Sequence, residues 1–348
     1  MKSAEYSVFN AANYYSIFEC SEAEREDILN YQLFLITDGQ YDKILKHRKY
    51  SPSDIWKQWL SDTYVCFSSS HMMIKSGHRL LNSYNPFFFT TYSAKPQPGR
   101  LKQLIYACRK LFSGHDIDAK AHGKLYSEIY SQSYLPADDI HRNCIALNPG
   151  AYYRALEVNS LKRHIMPQLI LEVGAGACMN IAHNYSQSKS KAIIVDLPET
   201  IYVGYSVLRT LFPNASIVLP DQINTAIKTN KSILSLLKSS DFIFMLPTQV
   251  DFIEPGIIDS AFNIASFQEM EQEVVNNYLA MIHKSLKVGG SLTMMNLSTS
   301  RQIGGNAMSE YNLELFSDGS TFEPKYSNKI IKKLKGLSYV VFDGIKKN

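Results

Sequence analysis

The sequence predicts an α/β protein whose second half is a doubly wound, mostly parallel sheet. Three observations carry this. Short apolar runs alternate with helical patterns after about residue 160. The first run ends in a glycine turn, and an acid closes the second run, 22 residues beyond Gly174. Buried strands alternating with amphipathic helices are what a sheet covered on both faces requires.

Residues 168–173 (QLILEV) read as a buried strand closing on glycines, with a helix from Met179. Residues 192–195 (AIIV) form a second strand ending at Asp196, and Pro198 stands where the next helix starts. Ile201, Tyr205, Leu208 and Phe212 continue that helix until Pro213 and Asn214 end it. Residues 216–219, 242–246 and 262–265 (FNIA) are further strands. Residues 271–286 form an amphipathic helix with Val275, Tyr278, Ile282 and Leu286 on one face, and Gly289 and Gly290 are expected to stop it. Residues 291–295 (SLTMM) and 337–342 (LSYVVF) complete the strands.

Residues 1–150 read as a mainly helical region. Ser51 and Ser53 are N-cap candidates for a helix through Ile55, Trp56 and Leu60. Leu101, Leu104, Ile105, Cys108 and Leu111 recur at helical spacing. Pro86 with Phe87, Phe88 and Phe89 reads as an apolar loop or short strand. Pro96, Pro98 and Gly99 mark one break, and Asn148, Pro149 and Gly150 a second.

A net charge of +4 over 348 residues is too small to argue for nucleic acid without a localised patch. The five cysteines contain no C-x-x-C, so neither a zinc site nor a disulfide framework is signalled, and a reducing compartment fits. The opening MKSAEYSVFNAANYY lacks an apolar signal segment, and no apolar run is long enough to span a bilayer. A cytoplasmic protein is therefore expected, with no membrane insertion and no nucleic-acid partner.

Three motifs carry chemistry. In Leu171-Glu172-Val173-Gly174-Ala175-Gly176 the glycines turn the chain at a strand's carboxyl end and let a ligand approach the backbone. The acid at Glu172 can accept hydrogen bonds from the cationic amino-acid end of a ligand, and it would repel a pyrophosphate. Met179 stands where a dinucleotide fingerprint wants its third glycine, which weakens a nicotinamide reading. In Val195-Asp196-Leu197-Pro198-Glu199, the acid is placed to hold both hydroxyls of a ribose; the structural alternative is a helix N-cap. In Asn263-Ile264-Ala265-Ser266-Phe267-Gln268-Glu269-Met270, a strand breaks into polar residues at the end where ligands sit. Ser266, Gln268 and Glu269 can face a ligand there, or Glu269 can serve the next helix through its dipole.

At these residues the chain resembles class I S-adenosylmethionine-dependent methyltransferases. LEVGAGA, the acid of IIVDLPET and the KVGGSL return stand in the expected order. VDLPET with FNIASFQEM and VVNNYLAMI more narrowly resembles the sugar O-methyltransferase family, over about residues 140–300. The resemblance implies a Rossmann-like seven-stranded sheet, S-adenosyl-L-methionine as cofactor and a glycan hydroxyl as acceptor. It implies that Glu172, Gly174 and Gly176 line the methionine end and Asp196 the ribose, with Ala175 and Leu197 also in the cofactor site. Ala265, Ser266 and Phe267 would back the sulfonium. Cys178 and Met179 depart from the commoner family turn.

For the adenine ring two strands compete. Asp221, after residues 216–219, could accept from the amino group; alternatively Leu246 and Pro247 sandwich the ring while Gln249 reads its edge. The second is preferred, because its segment leads into the FNIA strand.

Residues 151–348 are thus expected to be the methyltransferase domain, with residues 1–150 serving acceptor recognition or a homodimer interface. Tyr152, Tyr153 and Arg154 could line the acceptor cleft or pack between domains. Methyl transfer to a hydroxyl calls for a general base, and Glu269 is the first candidate, ahead of His164 and His183. His283, on the helix of residues 271–286, reads as structural. Asn296, Arg301, Gly304, Gly305 and Asn306 read as a polar loop that could cover the acceptor or be a disordered connection. Lys329, Lys332, Lys333 and Lys335 read as a solvated face. No tight carboxylate–histidine cluster is seen, so no metal is expected. Open alternatives are another small-metabolite acceptor, a nicotinamide-dependent oxidoreductase, or a degenerate methyltransferase fold that only binds.

Overall fold

The computed structural model describes residues 14–54, 56–57, 63–67, 71–76, 140, 143–144, 149–161, 167–298, 308–322 and 338–347. Readings that fall on Ile55, Leu60, residues 86–111, His164, residues 301–306 and residues 329–335 lie outside them.

The first described residues form β1 (Tyr14–Glu19), α1 (Glu22–Thr37), α2 (Gln40–Leu45), β2 (Thr63–Phe67) and β3 (His71–Ser76). The three strands make an antiparallel sheet in the order β1-β3-β2, which the helical reading of this region did not foresee. Helix α1 starts where sequence chemistry says it should. Ser21 Oγ accepts the Glu24 N–H, and the Glu24 carboxylate accepts the Ser21 N–H at 2.7 Å, a capping box.

The second half alternates as expected: α3 (Pro149–Leu161), β4 (Leu169–Val173), α4 (Met179–Ser188), β5 (Lys191–Val195), α5 (Pro198–Leu211), β6 (Ile217–Val218), α6 (Pro220–Lys228), α7 (Ile233–Ser239), β7 (Phe242–Met245), β8 (Ile258–Ile264), α8 (Gln272–Ser285), β9 (Leu286–Leu297), β10 (Phe316–Phe322) and β11 (Tyr339–Lys346). These strands form one sheet in the order β10-β11-β9-β8-β4-β5-β7-β6. Strands β4 to β9 run parallel, and β11 and β10 close the far edge antiparallel. The architecture is the expected Rossmann-like doubly wound sheet.

Two details correct the sequence reading. The sheet has eight strands, because β10 joins the seven that the apolar runs marked. Its sequence, FSDGSTF, is polar and carries a register shift between Ser317 and Ser320, so it has no apolar signature. Gly289 and Gly290 do not stop α8. The helix ends at Ser285, Leu286 is already extended, and both glycines lie inside β9.

Alternate residues of the central strands feed two cores, as period-two geometry demands. Ile170, Ala192, Ile194 and Phe244 pack with α1, α3, α4 and α5. Leu171, Val173, Ile193 and Met245 pack with α6, α7 and α8. Phe242–Met245 pairs directly with β5, which puts it, and not Ile217–Val218, in the third position. The chain leaves β4 toward β5 on one side and reaches β8 on the other. The carboxyl end of β4 is therefore the topological switch point, where open α/β sheets hold ligands.

Candidate active site

A cavity open to solvent lies at that switch point, with about 500 Å³ of empty space when the open solvent at its mouth is counted. Its lining includes Gly174 after β4, Asp196 and Leu197 after β5, Pro247 after β7 and Ser266 after β8. Four strand ends thus bring five of the sequence-predicted cofactor residues to one space.

The glycine turn is shaped by backbone needs. Gly174 has φ +70° and Gly176 φ +57°, a region that L side chains adopt only at a cost. A Cβ on Gly174 would stand 2.1 Å from Ser266 Oγ, so the turn and the β8 end touch through a missing side chain. Cys178 completes the turn at φ +55° and is buried, the departure from glycine that the sequence flagged. Helix α5 packs under the turn at Gly204, where a Cβ would lie 2.6 Å from Cys178 Sγ.

Asp196 locks this turn. Its Oδ2 accepts the Gly176 N–H at 2.9 Å and its Oδ1 the Leu197 N–H at 2.8 Å. Gly174 N–H in turn donates to the Val195 carbonyl at 2.8 Å. Burial pushes the Asp196 carboxyl up to about 6, against the hydrogen bonds that favour its charged form. Its carboxylate thus organises backbone while lining the cavity, and it is not the N-cap of α5, a place taken by Leu197.

A buried amide network carries the β8 end. Asn263 Nδ2 donates to the Val173 carbonyl at 2.8 Å and to Ser266 Oγ at 2.5 Å. Asn263 Oδ1 accepts from Phe267 N–H at 3.2 Å and from Asn296 Nδ2 at 2.9 Å. Asn296 Oδ1 accepts the Gln268 N–H, and Gln268 Oε1 accepts the Leu297 N–H. Gln268 therefore ties β8 to β9 and does not face the ligand space. Ala265 precedes Ser266 in a left-handed conformation, φ +61°, its N–H held by the Met295 carbonyl at 2.7 Å.

Several predicted residues stand elsewhere. Glu172 is buried on the α4 side of the sheet, where it accepts from Asn180 Nδ2 at 3.2 Å, and burial pushes its carboxyl up to about 8. Asn180 also accepts from Asn159 and Asn184, so Glu172 anchors a buried polar network. Gln249 does not read a ligand edge: its Oε1 accepts the Leu246 N–H at 3.0 Å and its Nε2 donates to the Pro220 carbonyl at 2.8 Å. Phe267 is fully buried between Tyr278 and Tyr311, behind the cavity wall. Ala175 and Gly176 shape the turn without lining the cavity. Asp221 lies in the first turn of α6, outside the lining.

Glu269 closes a short 3-10 turn, Phe267–Glu269, beside Met270, which does line the cavity. It is not in the first turn of α8, whose N-cap is Glu271. Its Oε2 accepts the Trp56 indole N–H at 3.2 Å. His183, the histidine candidate among the described residues, does not line the cavity, and His283 reads as structural. His183 is buried near Tyr152, and His283 packs on Phe316. Among the described residues no group of three or more His, Cys, Asp or Glu is placed to hold a metal.

The far wall was not foreseen. Tyr50, Ser51, Pro52, Ser53 and Trp56 face the strand ends, with Met270, Val274 and Tyr278 completing the enclosure. Trp56, one of two tryptophans, and the aromatic Tyr50 were the available signals. Neither belongs to a motif that ties residue 50 to residue 270.

No family model matches the chain, and no curated protein matches it. Solved structures overlap part of it. Haemonchus contortus phosphoethanolamine N-methyltransferase 2, in complex with S-adenosyl-L-methionine, is 12% identical over 56% of this chain and 52% of its own, TM-score 0.38. Geranyl diphosphate C-methyltransferase from Streptomyces coelicolor A3(2) is 10% identical over 62% of this chain and 86% of its own, TM-score 0.39. The cyclase SpnF is 11% identical over 57% of this chain and 81% of its own, TM-score 0.35. The chain spans about half the length of the first. Likeness at this level assigns no activity, and these neighbours include a cyclase beside methyltransferases.

Gly174→Ala tests the turn. Strain at φ +70° and overlap with Ser266 together are expected to cost about 2–4 kcal/mol in urea unfolding. Gly256→Ala is the control: its φ is +68° with nothing within 4 Å, so only the strain of about 1–2 kcal/mol applies. Equal losses would mean that Gly174 and Ser266 do not constrain each other.

Proposed function

We propose that this chain is an S-adenosylmethionine-dependent methyltransferase acting on a sugar or glycan hydroxyl. The observation that carries the reading is the convergence of Gly174, Asp196, Leu197, Pro247 and Ser266 on one cavity at the switch point.

The residues present fit such a cofactor. The turn at Gly174 is a backbone cradle whose Cβ space is already filled by Ser266. Asp196 is an acceptor fixed in orientation by two backbone N–H groups, suited to a vicinal diol. Leu197 and Pro247 offer apolar faces for a purine, and Ser266 stands beside the glycine turn, where the methionine end would lie. When bound, S-adenosylmethionine supplies an activated methyl group on a sulfonium.

The protein's own task is alignment and proton removal. In-line displacement needs the acceptor oxygen held against the methyl carbon, which is largely a matter of positioning. Trp56 and Tyr50 line the cavity, and Trp56 is the aromatic side chain against which the C–H face of a sugar ring would pack, since the Tyr50 ring is already packed against His47 and Tyr278. Glu269 would take the hydroxyl proton. The Trp56 indole N–H on its Oε2 fixes the carboxylate's orientation. The N-terminal region, through residues 50–56, then contributes to acceptor recognition.

Calorimetric titration with S-adenosylhomocysteine, beside NAD, tests the cofactor. Binding is expected for the first and not for the second, and Asp196→Ala is expected to weaken it at least tenfold. The ionised Asp196 accepts from the diol, so affinity is expected to fall as pH drops through about 6, approaching tenfold per pH unit below it. Preference for NAD, or an affinity indifferent to Asp196, would refute the reading.

Glu269→Gln separates chemistry from binding. Turnover on a hydroxyl acceptor is expected to fall by about 10²–10³-fold, with homocysteine-compound affinity within about twofold of the native value. Unchanged turnover would leave Glu269 as no more than the partner of Trp56.

A further inference from the structure

Ser53 carries a hydroxyl that makes no hydrogen bond within the fold. It lines the cavity and is 5% exposed, yet its Oγ is buried with no hydrogen-bond partner. Its carbonyl starts a helical turn by accepting the Lys57 N–H at 2.9 Å. A serine at such a position ordinarily caps with its hydroxyl as well. Here the hydroxyl caps nothing. Buried polar groups are nearly always paired, because an unpaired one keeps its full desolvation penalty.

The segment that carries Ser53 is held firmly against the rest of the site. The Tyr50 ring lies 4.5 Å from Tyr278 on α8, and Asn277 Nδ2 donates to the Lys49 carbonyl at 3.2 Å. His47 Nδ1 accepts the Tyr50 N–H at 3.1 Å. At the other end Trp56 donates to Glu269. Ser53 thus sits between two anchored aromatic residues, Tyr50 and Trp56, and lines the same cavity as Gly174 and Asp196.

We propose that Ser53 is a cofactor-contact residue, whose hydroxyl hydrogen-bonds a polar group of the nucleoside–amino-acid ligand and so completes the cavity from the N-terminal region. The inference rests on the cofactor reading above. It assigns the missing partner of Ser53 to the bound molecule. It also means that residues 149–347 alone do not make the whole binding site.

The test uses the full chain, native and Ser53→Ala, with S-adenosylhomocysteine as the probe in calorimetry and thermal melting. Removing an unpaired hydroxyl takes no contact from the ligand-free protein, so its melting temperature is expected to stay level or rise. Affinity for the probe is expected to fall about threefold to tenfold, and the ligand-induced rise in melting temperature to shrink with it. Unchanged affinity in the variant would overturn the assignment while leaving the cofactor reading intact. A lower melting temperature without ligand would overturn it too, since it would make the hydroxyl structural. If the native protein binds no S-adenosylhomocysteine, the cofactor reading fails and this inference fails with it.

Discussion

The carboxylate of Asp196 is the constraint on which the candidate site depends. It joins two segments that the chain reaches separately, the turn after β4 and the loop before α5, by accepting the N–H groups of Gly176 and Leu197. Holding an acid there is costly, since burial lifts it to about 6, and the backbone donors offset that cost. The result is an acceptor that is oriented before any ligand arrives. Close packing continues beneath it, where Gly204 leaves room for Cys178. The space between strand ends is thus fixed from below by packing and from within by hydrogen bonds.

Two further supports bracket that centre. The amide network of Asn263, Asn296 and Gln268 ties β4, β8 and β9 together and leaves Ser266 at the cavity surface. From the other side, α1 reaches the same loop as Asp196: the Tyr31 hydroxyl, fully buried, donates to the Pro198 carbonyl at 3.2 Å. Arg209 of α5 also pairs with Glu24 of α1 at 3.7 Å. Thr248, next to Pro247, donates to Gln40 of α2 at 2.9 Å. The N-terminal residues are therefore built into the strand-end loops of the candidate site as well as its outer wall.

Much of this was legible in the sequence. Seven strands showed as apolar runs because both faces of the sheet are buried. β10 did not, because an edge strand need bury little. The glycine turn and Asp196 were readable because backbone conformation and strand-end position leave few residue choices. The failures share a cause. Glu172, Gln249, Gln268 and Phe267 stand within motifs, but whether a side chain faces the ligand or braces the strand ends depends on partners far along the chain. Gln249 is spent on Leu246 and Pro220, and Gln268 on Leu297. The wall from Tyr50 to Trp56 was hidden for the same reason, since its contact with Glu269 spans 213 residues.

The most direct measurement is a crystal structure of the full chain grown with S-adenosylhomocysteine. The ligand is expected in the cavity at the end of β4, with its ribose hydroxyls on Asp196 and its purine between Leu197 and Pro247. A ligand bound away from these strand ends, or a cavity still filled by protein side chains at saturating ligand, would contradict the assignment of this site.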